Sequence, residues 1–238
     1  MRSPTANRWL KADALVPEIA ASGAEWLIDN EVAYEAVIAA IRRARRSVCI
    51  SQLAFDADCE AYSYEKPPVR ILDELVDAWR THALDVRILL NATLLVDTAR
   101  PLRKTLGERN ARGIRVRGIS RFPQLLHAKI LIVDDSEAFL LGSPFVNGYW
   151  DDSSHRPDDV RRPMRELGGR PLHDLSVQLK GPIVAGFQAG FEVLWNEGTD
   201  ENGESVEPRP VRSADSRTAS DCSQVRLTIP TGGRQLTI

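Results

Sequence analysis

The amino-acid sequence predicts an α/β protein in which a mixed β-sheet is flanked by helices on both faces. Segments whose apolar residues recur at helical spacing alternate three times with short apolar runs that are typical of strands. A later pair of apolar runs is separated by a tight turn at Ser136 and Glu137, which indicates a hairpin. A chain of 238 residues, 43% of them hydrophobic, is long enough to bury the core that this fold needs.

The first half of the chain contains three predicted pairs of a helix and a strand. Asp29 and Asn30 can cap a helix that begins at Glu31, and Pro67 and Pro68 open the second helix. The third helix is predicted over residues 98–112, and the three strands over residues 47–55, 86–90 and 114–117. Helices that connect successive strands favour a mostly parallel or mixed sheet.

The second half of the chain is predicted to extend the sheet and then to leave it. The predicted elements are, in order, a strand over residues 125–134, its hairpin partner over 138–142, a polar loop over 151–170, a strand over 173–180 and a helix that Gly181 and Pro182 start. Residues 199–223 contain almost no apolar side chains, which predicts a flexible linker. Residues 224–229 have the pattern of one more strand.

Composition limits the classes of function that the chain can serve. The net charge of −2 and the isoelectric point near 6.1 give no general attraction to nucleic acid or to anionic lipid, so phosphate binding has to come from local groups. The three cysteines show no CxxC spacing, which argues against a disulfide framework and a cysteine zinc site. The sequence shows no signal peptide and no membrane-spanning run, so we expect a cytoplasmic protein that can dock at a membrane surface.

His127, Ala128 and Lys129 form the most informative triplet in the sequence. Because side chains two residues apart on a strand project from the same face, the imidazole and the ammonium group should lie together. An imidazole with an ordinary pKa of about 6.5 can act as a nucleophile or exchange a proton near neutral pH, and an ammonium group can hold phosphate oxygens. The pair therefore indicates phosphodiester chemistry at a cleft.

The spacing His127-x-Lys129-x4-Asp134 resembles the HxKxxxxD motif of the phospholipase D superfamily. Further segments resemble the blocks that surround this motif in the family, and together they extend over about residues 25–198. These segments are residues 27–29, 44–48, 52–56, 142–145, 148–155, 171–177 and 181–196.

The resemblance implies a phosphodiester hydrolase or transphosphatidylase that acts on phospholipids through a phosphohistidine, without a cofactor or a metal. His127 would be the nucleophile or the acid and base, and Lys129 would hold the phosphoryl oxygens. Asp151 would accept a hydrogen bond that orients the histidine. Asp134 is a motif residue that is expected to pair with backbone or arginine at the end of its strand.

Other polar residues near the motif have two interpretations each. Ser143 and Asn147 are predicted to contact the substrate phosphate, with turn chemistry as the alternative. His173 and Asp174 are interpreted as a structural pair at the start of a strand. The histidines that have no lysine two residues on are His82, His155 and His173.

Enzymes of this superfamily need two HxK motifs that face each other, and this chain has one. We therefore predict a catalytic half-domain over residues 1–198 and, over residues 199–238, a linker with the possible first strand of a second half. The expected partners are phospholipid at a membrane surface and a second HxK half-domain, from a missing C-terminal part or from a homodimer. The alternatives are a homodimeric phospholipase D-like endonuclease and a catalytically inactive half that acts as a binding module. Nucleic acid is the less favoured partner because the net charge is close to zero.

Overall fold

The structure is a computed structural model that describes residues 23–62, 67–120, 125–156, 159, 172–200, 228–231 and 234–237. Its helices are α1 Asn30–Arg43, α2 Ile71–His82, α3 Ala99–Glu108 and α4 Ile183–Glu197. Its strands are β1 Gly23–Ile28, β2 Ser47–Ser51, β3 Glu60–Ala61, β4 Val69–Arg70, β5 Asp85–Asn91, β6 Arg115–Ile119, β7 Ile130–Val133, β8 Glu137–Leu140, β9 Leu175–Lys180, β10 Thr228–Thr231 and β11 Arg234–Thr237.

A seven-stranded sheet lies at the centre of the fold, with the strand order β1-β9-β8-β7-β2-β5-β6. β2, β5 and β6 are parallel to one another, as expected for strands that helices connect. The other neighbours in the sheet are antiparallel. The predicted fold class, an α/β fold with a mixed sheet between helices, is therefore confirmed.

The sheet separates two apolar cores. α1, α2 and α3 cover one face with side chains such as Val37 and Leu72, and α4 covers the other with side chains such as Phe187. Successive residues of β7 alternate between the two cores, because Leu131 packs in the first core and Ile132 in the second. A strand buried on both faces is apolar along its whole length, which explains the continuous apolar run in the sequence.

Two predicted helix starts need correction. Pro67 and Pro68 do not open the second helix, because β4 comes between them and α2 begins at Ile71. Asp29 occupies the position before the first helix, as predicted, but its side chain makes no capping hydrogen bond. The carboxylate of Asp29 contacts the imidazole of His173 instead.

Other predicted elements are shorter in the structure than in the sequence pattern. β2 ends at Ser51, and the motif strand is paired as β7 only from Ile130. α3 ends at Glu108. Apolar runs continue beyond the paired segments because the residues that follow or precede a strand still pack against the core.

Some predictions concern residues that lie outside the described part of the chain. These are most of the polar loop over 151–170, the linker over 201–223 and residues 224–227 of the last predicted strand, whose residues 228 and 229 belong to β10. Thr199, at the start of the predicted linker, forms two backbone hydrogen bonds with Gly118. Among the described residues, none of the helices has the length and the apolar character that a membrane crossing requires.

Candidate active site

The strand register brings several chain segments to one border of the sheet. Ser51 at the end of β2 pairs with Ile130 at the start of β7, and Ile130 pairs in turn with Leu140 at the end of β8. Leu175 starts β9 and pairs with Ile28, the last residue of β1. Because the end of a strand meets the start of its antiparallel neighbour, these segments share one border, which we call the site edge. Its polar residues are Asp29, Gln52, Asn91, His127, Lys129, Ser143 and Asp174.

His127 and Lys129 lie directly before β7, and their side chains meet. The Nζ atom of Lys129 is 3.4 Å from Nδ1 and 3.5 Å from Nε2 of His127. The residues between and before them, Leu126 and Ala128, pack in the core that α4 covers. This alternation turns the imidazole and the ammonium group to the same side. His127 is exposed, whereas Lys129 is buried.

Asn91 fixes the backbone that precedes the histidine. Its Oδ1 accepts a hydrogen bond of 2.8 Å from the N–H of Leu126, and its Nδ2 donates to the carbonyl oxygens of Leu126 at 3.1 Å and Leu53 at 2.9 Å. The hydroxyl group of Ser51 donates to the carbonyl oxygen of Ala128 at 2.9 Å. These contacts fix the position of the backbone on both sides of His127. The sequence alone does not point to Asn91, because its partners are distant in the chain.

The environment of the pair favours a neutral imidazole. Burial and the ammonium group of Lys129 both lower the pKa of His127 below its ordinary value. Burial also lowers the pKa of Lys129, and the nearby carboxylate of Asp174 opposes that change. A histidine whose pKa is lowered has a free nitrogen lone pair near neutral pH, which a nucleophile requires.

Asp174 supplies the carboxylate of this site. Its Oδ2 accepts a hydrogen bond of 2.6 Å from the hydroxyl group of Ser143, and its Oδ1 accepts one of 3.0 Å from the N–H of Leu175. The hydroxyl oxygen of Ser143 also accepts a hydrogen bond of 3.1 Å from Nδ2 of Asn30. At Gly142 a Cβ atom would lie 1.9 Å from Oδ1 of Asp174, so this close approach requires glycine. Sequence reasoning favoured a structural role for Asp174 and missed its proximity to Lys129.

Gln52 adds an amide group that has no partner in the described part of the chain. The side chain is fully buried, and neither its Nε2 nor its Oε1 has a hydrogen bond there. The pairing of β2 with β7, continued by one residue beyond Ser51 and Ile130, sets Gln52 opposite Lys129. A buried amide without a hydrogen-bond partner costs about 1–3 kcal/mol of stability. Contact with a ligand is a physical reason for the presence of such an amide.

Comparison with known proteins agrees with this geometry. Residues 37–148 match a family model described as the PLD-like domain of cardiolipin synthase. This segment is therefore similar to the PLD-like domain of that family. The matched segment contains the HxK motif, whereas Asp174 lies beyond it.

Solved structures are similar to this chain at low sequence identity. Nuc from Salmonella typhimurium, described as a phospholipase D family member, is 20% identical over 75% of this chain and 97% of its own, with a TM-score of 0.52. NucT from Helicobacter pylori is 11% identical over 75% of this chain and 98% of its own, with a TM-score of 0.49. TrmBL2, an archaeal chromatin protein, is 16% identical over 83% of this chain and 59% of its own, with a TM-score of 0.46. No curated protein matches the chain.

The motif aspartate lies at the opposite border of the sheet. Asp134 follows β7, and its carboxylate accepts hydrogen bonds of 2.7–2.9 Å from the backbone N–H groups of Arg45, Arg46 and Ser47. Burial alone would raise the pKa of Asp134, but these three donors lower it. The five residues from Lys129 to Asp134 span about 16 Å of extended chain, so the structure does not bring this carboxylate to the histidine.

Two other predicted residues point to different neighbours. Oδ2 of Asp151 lies 3.0 Å from Nδ1 of His155, in a cluster beyond β9, whereas the carboxylate that affects the pKa of Lys129 is that of Asp174. The side chain of Asn147 accepts a hydrogen bond from the N–H of Glu60 at 2.8 Å and donates one to a carbonyl oxygen at 3.1 Å. Asn147 therefore ties its own turn to the segment before β3.

Proposed function

We propose that the chain supplies one HxK half-site of a phosphodiesterase that acts on phospholipids through a phosphohistidine. The observation that carries this proposal is the contact of 3.4 Å between the ammonium group of Lys129 and the imidazole of His127, at an exposed position on the site edge. The lowered pKa of His127 supports a nucleophilic role. The carboxylate proposed for the site is Asp174, which balances the charge of Lys129, whereas the sequence predicted Asp151 as the carboxylate that orients the histidine.

The proposed reaction has two steps, in which residues of the site edge take part. His127 attacks the phosphorus atom, the bond to the leaving alcohol breaks, and that alcohol takes a proton from the histidine of the second half-site. The second histidine then removes a proton from water or from an acceptor alcohol, which displaces His127. Lys129 stabilises the charge on the phosphoryl oxygens, where a charge pair at 4 Å is worth about 4 kcal/mol at an effective dielectric constant near 20. Gln52 and Ser143 are the neutral polar groups proposed to contact the phosphate.

An apolar loop next to the site supports a lipid substrate. Leu94 is fully exposed and Leu95 is 75% exposed, and both belong to the loop that follows Asn91 at the end of β5. Two hydrogen bonds of 2.9 Å between Thr93 and Val96 hold this loop in a tight turn. Two leucines that enter a lipid layer beside the catalytic pair contribute about 2 kcal/mol each. The near-neutral net charge gives no comparable support for nucleic acid.

The second half-site is a separate part of the proposal. In this superfamily two HxK motifs form one site, so a second copy of the chain or a further half-domain has to supply the other histidine. In a homodimer the two His127 residues would meet across a two-fold axis. Light scattering distinguishes the two routes, because a chain that stays monomeric at the assay concentration cannot complete its site with a second copy.

A trapping experiment tests the substrate class and the nucleophile together. The chain is incubated with phosphatidylglycerol vesicles that carry a labelled phosphatidyl group, quenched without acid and digested for mass spectrometry. We expect a phosphatidyl adduct on the peptide that contains His127, its loss in His127→Asn, and its retention in His82→Asn. His82 is the matched control because it lies at the end of α2 and contacts Arg45 instead of the site.

The same samples decide between the alternatives. Single-stranded DNA and a small chromogenic diester are tested in parallel with the vesicles. Cleavage of DNA with no lipid adduct would overturn the lipid proposal in favour of the endonuclease. Failure of every diester to react, with the dimer shown to be present, would support a binding module. Replacement of both Leu94 and Leu95 by serine should weaken vesicle binding and leave hydrolysis of the small diester unchanged.

A further inference from the structure

Four side chains outside the HxK pair converge at the β1 end of the site edge. Nδ1 of His173 is 2.6 Å from Oδ1 of Asp29, and Nδ1 of His155 is 3.0 Å from Oδ2 of Asp151. The two pairs are not separate, because Nδ1 of His155 is also 3.8 Å from Oδ1 of Asp29. One nitrogen or oxygen atom from each residue lies within 4.8 Å of the other three.

The cluster is buried on one side and open to solvent on the other. The side chains of Asp29 and Asp151 are 5% and 1% exposed, whereas those of His155 and His173 are 46% and 57% exposed. The two imidazole rings meet edge to face with their centroids 4.8 Å apart. The carboxylates therefore form the floor and the imidazoles form a rim that is open to solvent.

The backbone at this cluster adopts conformations that side chains disfavour. Asp29 has φ 72° and ψ 151°, and His155 has φ 48°. Such conformations cost about 1–3 kcal/mol each and occur where the surrounding structure requires them. The side chain of Asp29 makes no capping hydrogen bond to the N-terminus of α1, and its carboxylate contacts His173 in the cluster instead. Two of the four residues are thus held in place against local preference.

We propose that Asp29, Asp151, His155 and His173 form a binding site for one divalent transition-metal ion, with Zn²⁺ as the best fit. Two imidazole nitrogens and two carboxylate oxygens are borderline donors of the kind that Zn²⁺ takes in four-coordinate sites. With bonds of about 2.0–2.2 Å, the donors of a tetrahedral site lie about 3.3–3.6 Å apart. The contacts of 2.6, 3.0 and 3.8 Å come close to this arrangement. The absence of a metal was expected from the sequence because of the family resemblance.

The ion would join three segments that are far apart in the sequence. Asp29 lies between β1 and α1, His173 precedes β9, and Asp151 and His155 belong to the turn after β8. His173 is the neighbour of Asp174, so a bound ion would hold the carboxylate of the active site in register. The site does not depend on the chemistry of the HxK pair, and its test is separate from that of the proposed function.

Metal binding to the full chain is measured directly. The purified protein is stripped with a chelator, incubated with Zn²⁺, dialysed and analysed by inductively coupled plasma mass spectrometry. We expect one Zn²⁺ per chain in the wild type and in His82→Ala, and none retained in the double variant His155→Ala with His173→Ala. Because both replaced imidazoles are partly exposed, the double variant should fold, and circular dichroism checks this.

Cobalt provides a second readout that a merely structural cluster would not give. Co²⁺ bound at a four-coordinate site gives visible absorption bands. We expect these bands for the wild type and for His82→Ala, but not for the double variant. Asp29→Asn keeps the shape of the side chain and should weaken Zn²⁺ binding by about 10–100-fold. No Zn²⁺ retained by the folded wild type, or equal retention by the double variant, would overturn the proposal and leave two hydrogen-bonded histidine and aspartate pairs.

Discussion

Replacement of Asn91 by alanine tests whether this residue positions the catalytic segment. The side chain is fully buried and makes three hydrogen bonds to backbone groups of Leu53 and Leu126. Asn91→Ala removes all three from the N–H and carbonyl groups of Leu126 and the carbonyl group of Leu53, which keeps a hydrogen bond of 3.3 Å from the hydroxyl group of Thr98. At about 1–1.5 kcal/mol for each bond, the free energy of unfolding should fall by about 3–5 kcal/mol. In a domain of this size that corresponds to a fall in Tm of roughly 6–20 °C.

Urea unfolding followed by circular dichroism measures the loss, and diester hydrolysis measures the consequence for the site. Because Leu126 precedes His127, we expect turnover to fall by about 100-fold at a temperature where the variant is folded. Asn91→Asp keeps the acceptor for the N–H group of Leu126 but sets a second acceptor oxygen against the carbonyl oxygens of Leu53 and Leu126, so it should lose stability and turnover as well. Asn196→Ala, in the last turn of α4, is the control and should change stability by less than about 1 kcal/mol. An unfolding midpoint of Asn91→Ala equal to that of the wild type would refute the positioning role.

Three further substitutions test the remaining parts of the site. Gly142→Ala would place a Cβ atom 1.9 Å from the carboxylate of Asp174 and should reduce turnover at least about tenfold, whereas unchanged kinetics would show that the carboxylate is dispensable. Lys129→Met removes a positive charge that disfavours the imidazolium ion, so the pKa of His127 should rise in an NMR titration. A lower pKa of His127 in this variant would contradict the effect that we assign to the ammonium group. Asp134→Ala should cost about 2–4 kcal/mol of stability but retain turnover by the folded fraction, and lost turnover without lost stability would argue against a structural role. Because the pKa of Asp134 is lowered, its stabilisation is complete above the ordinary aspartate pKa and disappears as the pH falls through the lowered value.

The fold class follows from the sequence because periodicity and alternation are local properties. Helical spacing before each of the first strands and the tight turn at Ser136 and Glu137 are sufficient to predict a mixed sheet, and the sheet is mixed. The alternation of His127 with Leu126 and Ala128 similarly predicts which side chains share a side of the strand. The exact boundaries of helices and strands are harder to predict from the sequence. β4 lies where the second helix was expected to begin, and α2 begins at Ile71.

The supporting residues of the site could not be predicted because they depend on long-range pairing. Asn91 meets Leu126 across 35 positions of the chain, and Ser143 meets Asp174 across 31. The sequence offered Asp151 as the orienting carboxylate on the basis of a family resemblance, but the choice between two carboxylates depends on which strands are neighbours. A signal for Gln52 was present in the sequence, since it interrupts the apolar residues of the strand predicted over residues 47–55.

Contacts at the far border of the sheet help to determine the geometry of the site edge. Glu137 at the start of β8 pairs with Lys180 at the end of β9, and the Nζ atom of Lys180 is 3.4 Å from Oε1 of Glu137. The side-chain amide of Gln178 donates a hydrogen bond to the same carboxylate. A slip of one residue between β8 and β9 would break these contacts and turn every side chain of β9 to the other face. Since Asp174 directly precedes β9, the same slip would move its carboxylate away from Ser143. The ion pair at one end of the strand therefore supports the position of the carboxylate at the other end.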